Sequence, residues 1–176
     1  MSKLEDLLKG GDARALKGVM RVIDDLLRDP AQFEGLMRAM SHDDPIVRMR
    51  AGDAAEKISR TNAEYLEPYK AVLLQVAATT EQPSLRWHLA QMIPRLALDA
   101  GERRSVVGVL KRYLDDPSAI VKTCAMQALA DIARADPSLR RSVLPAIRKA
   151  TETGTAAMRA RGERLLDVLH HRKVRR

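Results

Sequence analysis

A chain of 176 residues has room for one domain of ordinary size, and a hydrophobic share of 45% with only 3% aromatic residues predicts an aliphatic core without large aromatic pockets. Its formal charge of +8 favours acidic partners, and a single cysteine, Cys124, excludes an intramolecular disulfide. No apolar run approaches the roughly 20 residues of a membrane span or forms an N-terminal signal segment, so the expectation is a soluble cytoplasmic protein with no membrane partner.

Residues 1–29 read as two N-terminal helices. Leu4, Leu7 and Leu8 stand at helical spacing behind a Ser2-x-x-Glu5 capping pattern, and Gly10-Gly11 ends that run. Asp12 then caps a segment striped by Leu16, Val19, Met20, Ile23, Leu26 and Leu27, which stops before Asp29-Pro30. The two segments match the repeat register poorly and are expected to act as an atypical terminal pair covering one open end.

Beyond residue 30 the chain divides into helix pairs at about 31–60, 63–99, 102–135 and 137–170, all within one domain spanning 1–170. The second helices share a register of apolar residues at i, i+4, i+7, i+8 and i+11. It reads Val47, Ala51, Ala54, Ala55, Ile58; Leu85, Leu89, Met92, Ile93, Leu96; Val121, Ala125, Ala128, Leu129, Ile132; and Met158, Gly162, Leu165, Leu166, Leu169. The four starts lie 38, 36 and 37 residues apart, a period that signals stacked supersecondary units. Each is preceded by a first helix with its own stripe: Phe33, Leu36, Met37, Met40; Leu66, Tyr69, Leu73, Val76; Val106, Val109, Leu110, Tyr113; and Leu139, Val143, Ile147. Pro94 lies inside the predicted second helix of the second pair, where it should bend the helix near Ala90. The third pair starts after Gly101.

These residues resemble the HEAT-repeat family, in which a first helix leads through an Asp-Pro turn into a second helix opening Val-Arg. The match is carried by Asp44-Pro45-Ile46-Val47-Arg48 and Asp116-Pro117-Ser118-Ala119-Ile120-Val121-Lys122, with Gln82-Pro83-Ser84-Leu85-Arg86 keeping the proline alone. Prolines in the first helices, at Tyr65-Leu66-Glu67-Pro68 and Val143-Leu144-Pro145, extend it. The fourth copy, led in by Thr153-Gly154-Thr155-Ala156-Ala157, has neither Asp nor Pro. The resemblance implies an all-α fold, a right-handed α-α superhelix, over roughly residues 30–170. It says almost nothing about function.

No phosphate-cradling glycine motif, no His-Glu-x-x-His and no Cys-x-x-Cys is present. His42, His88, His170 and His171 include no pair at i, i+3 or i+4, so neither a metal nor a cofactor is expected. Iron-binding HEAT-like hydroxylases use His-Glu dipeptides, which this chain lacks. Cys124, beside the apolar stripe, reads as a partly buried inert thiol rather than a nucleophile.

The informative side chains flank the stripe. Arg48, Arg86, Lys122 and Arg159 form one row, and Arg50, His88, Cys124 and Arg161 the other. For the first row the resemblance implies an inter-repeat ladder to acids such as Asp44 and Asp116, with ligand contact as the other reading. Trp87 is predicted to point outward, either anchoring a partner or packing over the next repeat. The candidate binding residues are thus Arg50, Arg86, Trp87, His88 and Arg161.

The leading functional expectation is a non-enzymatic scaffold whose concave face, lined by second helices, binds an acidic protein or peptide. The alternative is a nucleic-acid binder using the basic flanks and the tail 171–176; the run His170–Arg176 holds half of the excess charge. A third reading is an enzyme of the DNA glycosylase-like or lyase-like HEAT type. The outer face of the second helices is mixed in sign, which places the second reading behind the first.

Overall fold

The computed structural model describes residues 3–9 and 17–171, and every regular element among them is helical. The Ser2-x-x-Glu5 capping pattern, Gly10-Gly11, Asp12, Leu16 and the basic tail beyond His171 lie outside the residues whose side chains are described. The chain forms two compact units, Met1–Ala97 and Leu98–Arg176.

The first unit contains α1 (Lys3–Leu8), α2 (Lys17–Arg28), α3 (Phe33–Ala39), α4 (Pro45–Ser59), α5 (Lys70–Thr79) and α6 (Pro83–Met92). At its centre is α4, which packs against α1, α2, α3 and α6 and the 3-10 segment Ala63–Tyr69. It starts where the sequence says it should. Asp44 Oδ1 accepts from Ile46 N at 2.8 Å, and Pro45 takes the first position, where its missing N–H would have no partner anyway. Val47, Ala51, Ala54, Ala55 and Ile58 are all buried, as are Leu85, Leu89, Met92, Ile93 and Leu96. Small residues on α4 let α6 approach closely: a Cβ on Gly52 would stand 2.6 Å from Leu85 Cδ1 and 3.5 Å from His88 Cβ.

Three expectations for this unit need correction. Along α2 the buried positions are Val19, Val22, Ile23 and Leu26, while Met20 and Leu27 are 50% and 43% exposed. An i, i+3, i+4, i+7 arc closes without them. The first helix of the second pair, expected around Leu66, Tyr69, Leu73 and Val76, opens as a 3-10 segment over Ala63–Tyr69 before α5 begins at Lys70, because Pro68 has no N–H to donate and crowds the carbonyl four residues back. Pro94 ends α6 rather than bending it: the helix stops at Met92, a 3-10 turn covers Ile93–Arg95, and Leu96 is extended.

The second unit contains α7 (Ala100–Tyr113), α8 (Ala119–Ala135), α9 (Arg140–Thr153) and α10 (Ala156–His171). Here α8 packs on α7, α9 and α10, and α9 pairs with α10. The predicted stripe on α8 is wholly buried, and Met158, Gly162, Leu165 and Leu169 are buried on α10. Gly162 is a contact point, since a Cβ there would run into Thr151 Oγ1 and Met126 Cε. Instead of following Gly101, α7 takes it into the first turn. Its start is fixed by a capping box in which Asp99 Oδ1 accepts from Glu102 N and Glu102 Oε2 accepts from Asp99 N, each at 2.8 Å.

No helix among the described residues is long and apolar enough to cross a membrane.

Candidate functional site

The second flank row is placed mostly inside the protein. Arg50 is 3% exposed, and its Nη1 donates to the Leu8 carbonyl at 2.9 Å, at the end of α1. A helix leaves its last carbonyls without partners and carries partial negative charge there, so a guanidinium is a fitting cap. His88 is 5% exposed, with its ring 4.5 Å from that of Trp87 and tilted by 42°. Its Nδ1 finds no hydrogen-bond partner among the described residues. These two side chains therefore offer a partner almost no surface, contrary to the sequence reading. The cause is the close packing of α1 and α6 on α4, which periodicity within one helix does not reveal.

Of the other candidates, Arg161 is exposed and donates to Gln127 Oε1 at 2.7 Å, joining α10 to α8. Trp87 is half-buried rather than fully outward.

Around α4 the charges are turned onto one another. Glu56 is 1% exposed, and its carboxylate accepts from Arg60 Nη2 at 2.7 Å and Arg95 Nη2 at 2.9 Å. Burial pushes this carboxyl up, but the hydrogen bonds from Arg60 and Arg95 and their charges prevail and hold it below the usual carboxylate range. His88 is shifted down, chiefly by burial. The charges of Asp53 and Glu56 oppose that shift, while those of Lys57 and Arg60 assist it. A carboxylate saturated by two guanidiniums is a poor proton carrier, so this cluster reads as structural.

The first flank row behaves in a consistent way at three of its four positions. Arg48 Nη1 donates to the carbonyls of His42 and Asp43 at 2.7 and 2.9 Å, Arg86 Nε to that of Thr80 at 2.8 Å, and Arg159 Nη1 to that of Gly154 at 2.9 Å. Each arginine thus ties back to the loop leading into its own helix. The Asp44 and Asp116 carboxylates for their part stand at the starts of α4 and α8, accepting from Ile46 N and Ser118 N.

Lys122 is the exception. It makes no side-chain hydrogen bond or ion pair with a described residue, and it lines a groove of about 550 Å³ together with Lys111, Lys149, Ser142 and Asp115. The groove is flanked by α7 and α9 and touches the start of α8, with Leu114 and Ala150 also in its lining. Lys149 is likewise without a described partner, and Lys111 Nζ donates to Ser142 Oγ at 2.8 Å. Three lysines and one aspartate are thus among the residues that line the groove. Lys111 and Lys149 lie on first helices, outside both flank rows, so a search confined to the second helices passes over them.

Position for position, the first unit has a counterpart. A smaller hollow of about 300 Å³ is lined by Met40, Ser41, Arg48, Val76 and Thr79, which stand in the register of Leu114, Asp115, Lys122, Ala150 and Thr153. There Arg48 is held by its carbonyls and by Gln82 Oε1 at 2.8 Å. The positions of Lys111 and Lys149 are taken by Met37 and Gln75. Of these two hollows, that of the second unit carries the uncommitted positive charge.

Among the described residues no group of three or more His, Cys, Asp or Glu is placed to hold a metal ion. Comparison of the chain with models of known protein families finds no match, and comparison with curated proteins finds none either.

Proposed function

We propose that the chain is a non-enzymatic scaffold built of HEAT-like helical repeats that binds an acidic protein or peptide. The HEAT-like part is supported by the shared register of the second helices, by the Asp-Pro turns and by helices that pair as hairpins within each unit. A right-handed α-α superhelix is the architecture this reading carries with it.

The observation that carries the choice of partner is the groove lined by Lys111, Lys122 and Lys149, with Asp115 as the one acid in its lining. Complementary charge is what steers an acidic segment to such a place and sets its register there. The binding surface accordingly moves from the outer face of the second helices to the cleft flanked by the first helices α7 and α9. Nucleic acid is the weaker reading, because Arg50 and His88 are buried and Arg86 and Arg161 are engaged within the protein, which breaks the proposed row of phosphate contacts.

The test is fluorescence anisotropy with a labelled oligoglutamate peptide and with duplex DNA at about 50 mM salt, where electrostatic binding is strong. The peptide should bind the full chain and be released by Lys122→Glu combined with Lys149→Glu. Tighter binding of the DNA, undiminished by those changes, would reverse the order of the two readings.

A further inference from the structure

We propose that the groove of the second unit recognises a phosphoryl group on an acidic peptide, as a phosphate monoester rather than a plain carboxylate. This rests on the acidic-partner reading above and adds the chemistry of the ligand.

The charge balance is the first argument. Lys111, Lys122 and Lys149 against Asp115 leave an excess of two positive charges in one groove. A phosphoserine or phosphothreonine carries about −1.5 to −2 charges at neutral pH and presents three strong acceptor oxygens. A glutamate carries one charge and two oxygens, and would leave the groove half neutralised.

The donors match as well. Lys122 and Lys149 have all their N–H groups available among the described residues, and Lys111 gives one to Ser142 Oγ and keeps two. Because Ser142 Oγ accepts from Lys111, its own hydroxyl hydrogen is left to donate. Thr153 is not a donor here, since its Oγ1 already bonds the Lys149 carbonyl at 2.9 Å. A groove lined by three lysines and one serine offers more donors than the two oxygens of a carboxylate can take up, and suits the three oxygens of a phosphoryl group better.

The contrast between the units is the second, independent argument. At the Lys122 position the other members of the row are arginines tied to backbone carbonyls, a structural use. Lysine is too short and compact to copy a guanidinium fork, and its point charge suits a phosphate approached from several sides. The same register in the first unit has one committed arginine and no lysine. The site is thus a local departure from the repeat.

A nucleic-acid backbone fits less well. Its diester phosphates carry one charge each and need a row of cations extending along the surface, whereas these lysines line a single groove together with Asp115.

The experiment uses the full chain, isotopically labelled, with three acidic heptapeptides that differ at one central residue, phosphoserine, glutamate or serine, and a single-stranded oligonucleotide of matched charge. The phosphoserine peptide should bind at least tenfold tighter than the glutamate peptide at pH 7.5. That advantage should shrink at pH 5.5, because the phosphate loses its second charge near pH 6. Amide shifts should concentrate at the end of α7, the start of α8 and along α9. Lys122→Gln with Lys149→Gln should abolish the advantage while leaving the helical circular dichroism unchanged, and Arg48→Gln in the first unit should leave the advantage in place.

Equal affinity for the phosphoserine and glutamate peptides overturns the phosphoryl assignment and leaves the acidic-partner reading standing. No binding of either peptide overturns both. Tighter binding of the oligonucleotide at the same amides overturns the assignment to a peptide.

Discussion

Arg95 Nη2 lies 2.9 Å from Glu56 Oε1, and Nη1 of the same guanidinium reaches the Glu56 carbonyl at 3.2 Å, so the turn that ends α6 is clamped onto α4. The carboxylate it holds is 1% exposed and has Arg60 as its other partner. Arg95→Ala should cost about 1.5–3 kcal/mol, the range for charge-assisted hydrogen bonds to a buried group. Arg38→Ala breaks a pair with Glu34 whose side chains are 60% and 71% exposed, and should cost no more than about 0.5 kcal/mol. Urea denaturation of the two variants checks the difference, and equal losses would mean that Glu56 is not buried as described.

Acid should weaken the first unit by way of His88. The folded protein holds this imidazole below its ordinary value of 6.5, mainly through burial, while the unfolded chain protonates it normally. Between those two values the unfolded state binds more protons, so stability is full above about pH 6.5 and falls as pH drops from there toward the folded value. The neighbours that titrate or carry charge around it are Asp53, Glu56, Lys57 and Arg60 on or beside α4. Glu56 adds loss only lower, below the usual carboxylate value of 4.5, because its folded value is depressed. Thermal melts from pH 7.5 to 5 should show a falling midpoint, and His88→Leu should flatten the upper part of that decline.

Two glycines offer a paired test of packing. Gly162 on α10 faces Thr151 and Met126, with Thr151 Cβ 2.8 Å from where its own Cβ would stand, so Gly162→Ala should destabilise by about 1–3 kcal/mol through overpacking. Gly108, inside α7, has nothing within 4 Å of that point. Gly108→Ala should stabilise by about 0.4–1 kcal/mol, since alanine restricts the unfolded chain and suits a helix. Denaturant midpoints moving in the same direction would refute the geometry of the α9–α10 hairpin.

On α8, Leu129 is fully buried and Leu129→Ala should cost about 2–5 kcal/mol. Thr123, whose hydroxyl only bonds back to the Ala119 carbonyl at 2.7 Å, should tolerate alanine within about 0.5 kcal/mol. Chemical unfolding of both variants tests the register of the repeat directly.

The helices and their buried faces can be read from the chain because a 3.6-residue period forces apolar side chains onto one side, whatever they pack against. Ala51, Leu89 and Leu129 need no more than that. Periodicity does not supply the partner on the far side of a contact. Arg50 looks like a surface cation until α1 is laid over it, and His88 looks reachable until α6 closes on Gly52. Lys111 and Lys149 escape a sequence reading for the converse reason: they belong to different helices far apart in sequence, and only packing brings them to one groove. Pro94 is legible as a disturbance, but whether a proline bends or stops a helix depends on how the next residues are held. In this chain Leu96 is extended and Arg95 is anchored to Glu56, so the helix stops.

The bond from Arg50 to the last carbonyl of α1 also bears on how the molecule could be trimmed. A fragment begun after Arg28, at the first residue that matches the repeat, would strip the cover from a guanidinium set in the wall of α4, together with the apolar side chains Leu4, Leu8, Val19 and Leu26 that pack there. Shortened versions of this protein should therefore keep α1 and α2, which cover α4.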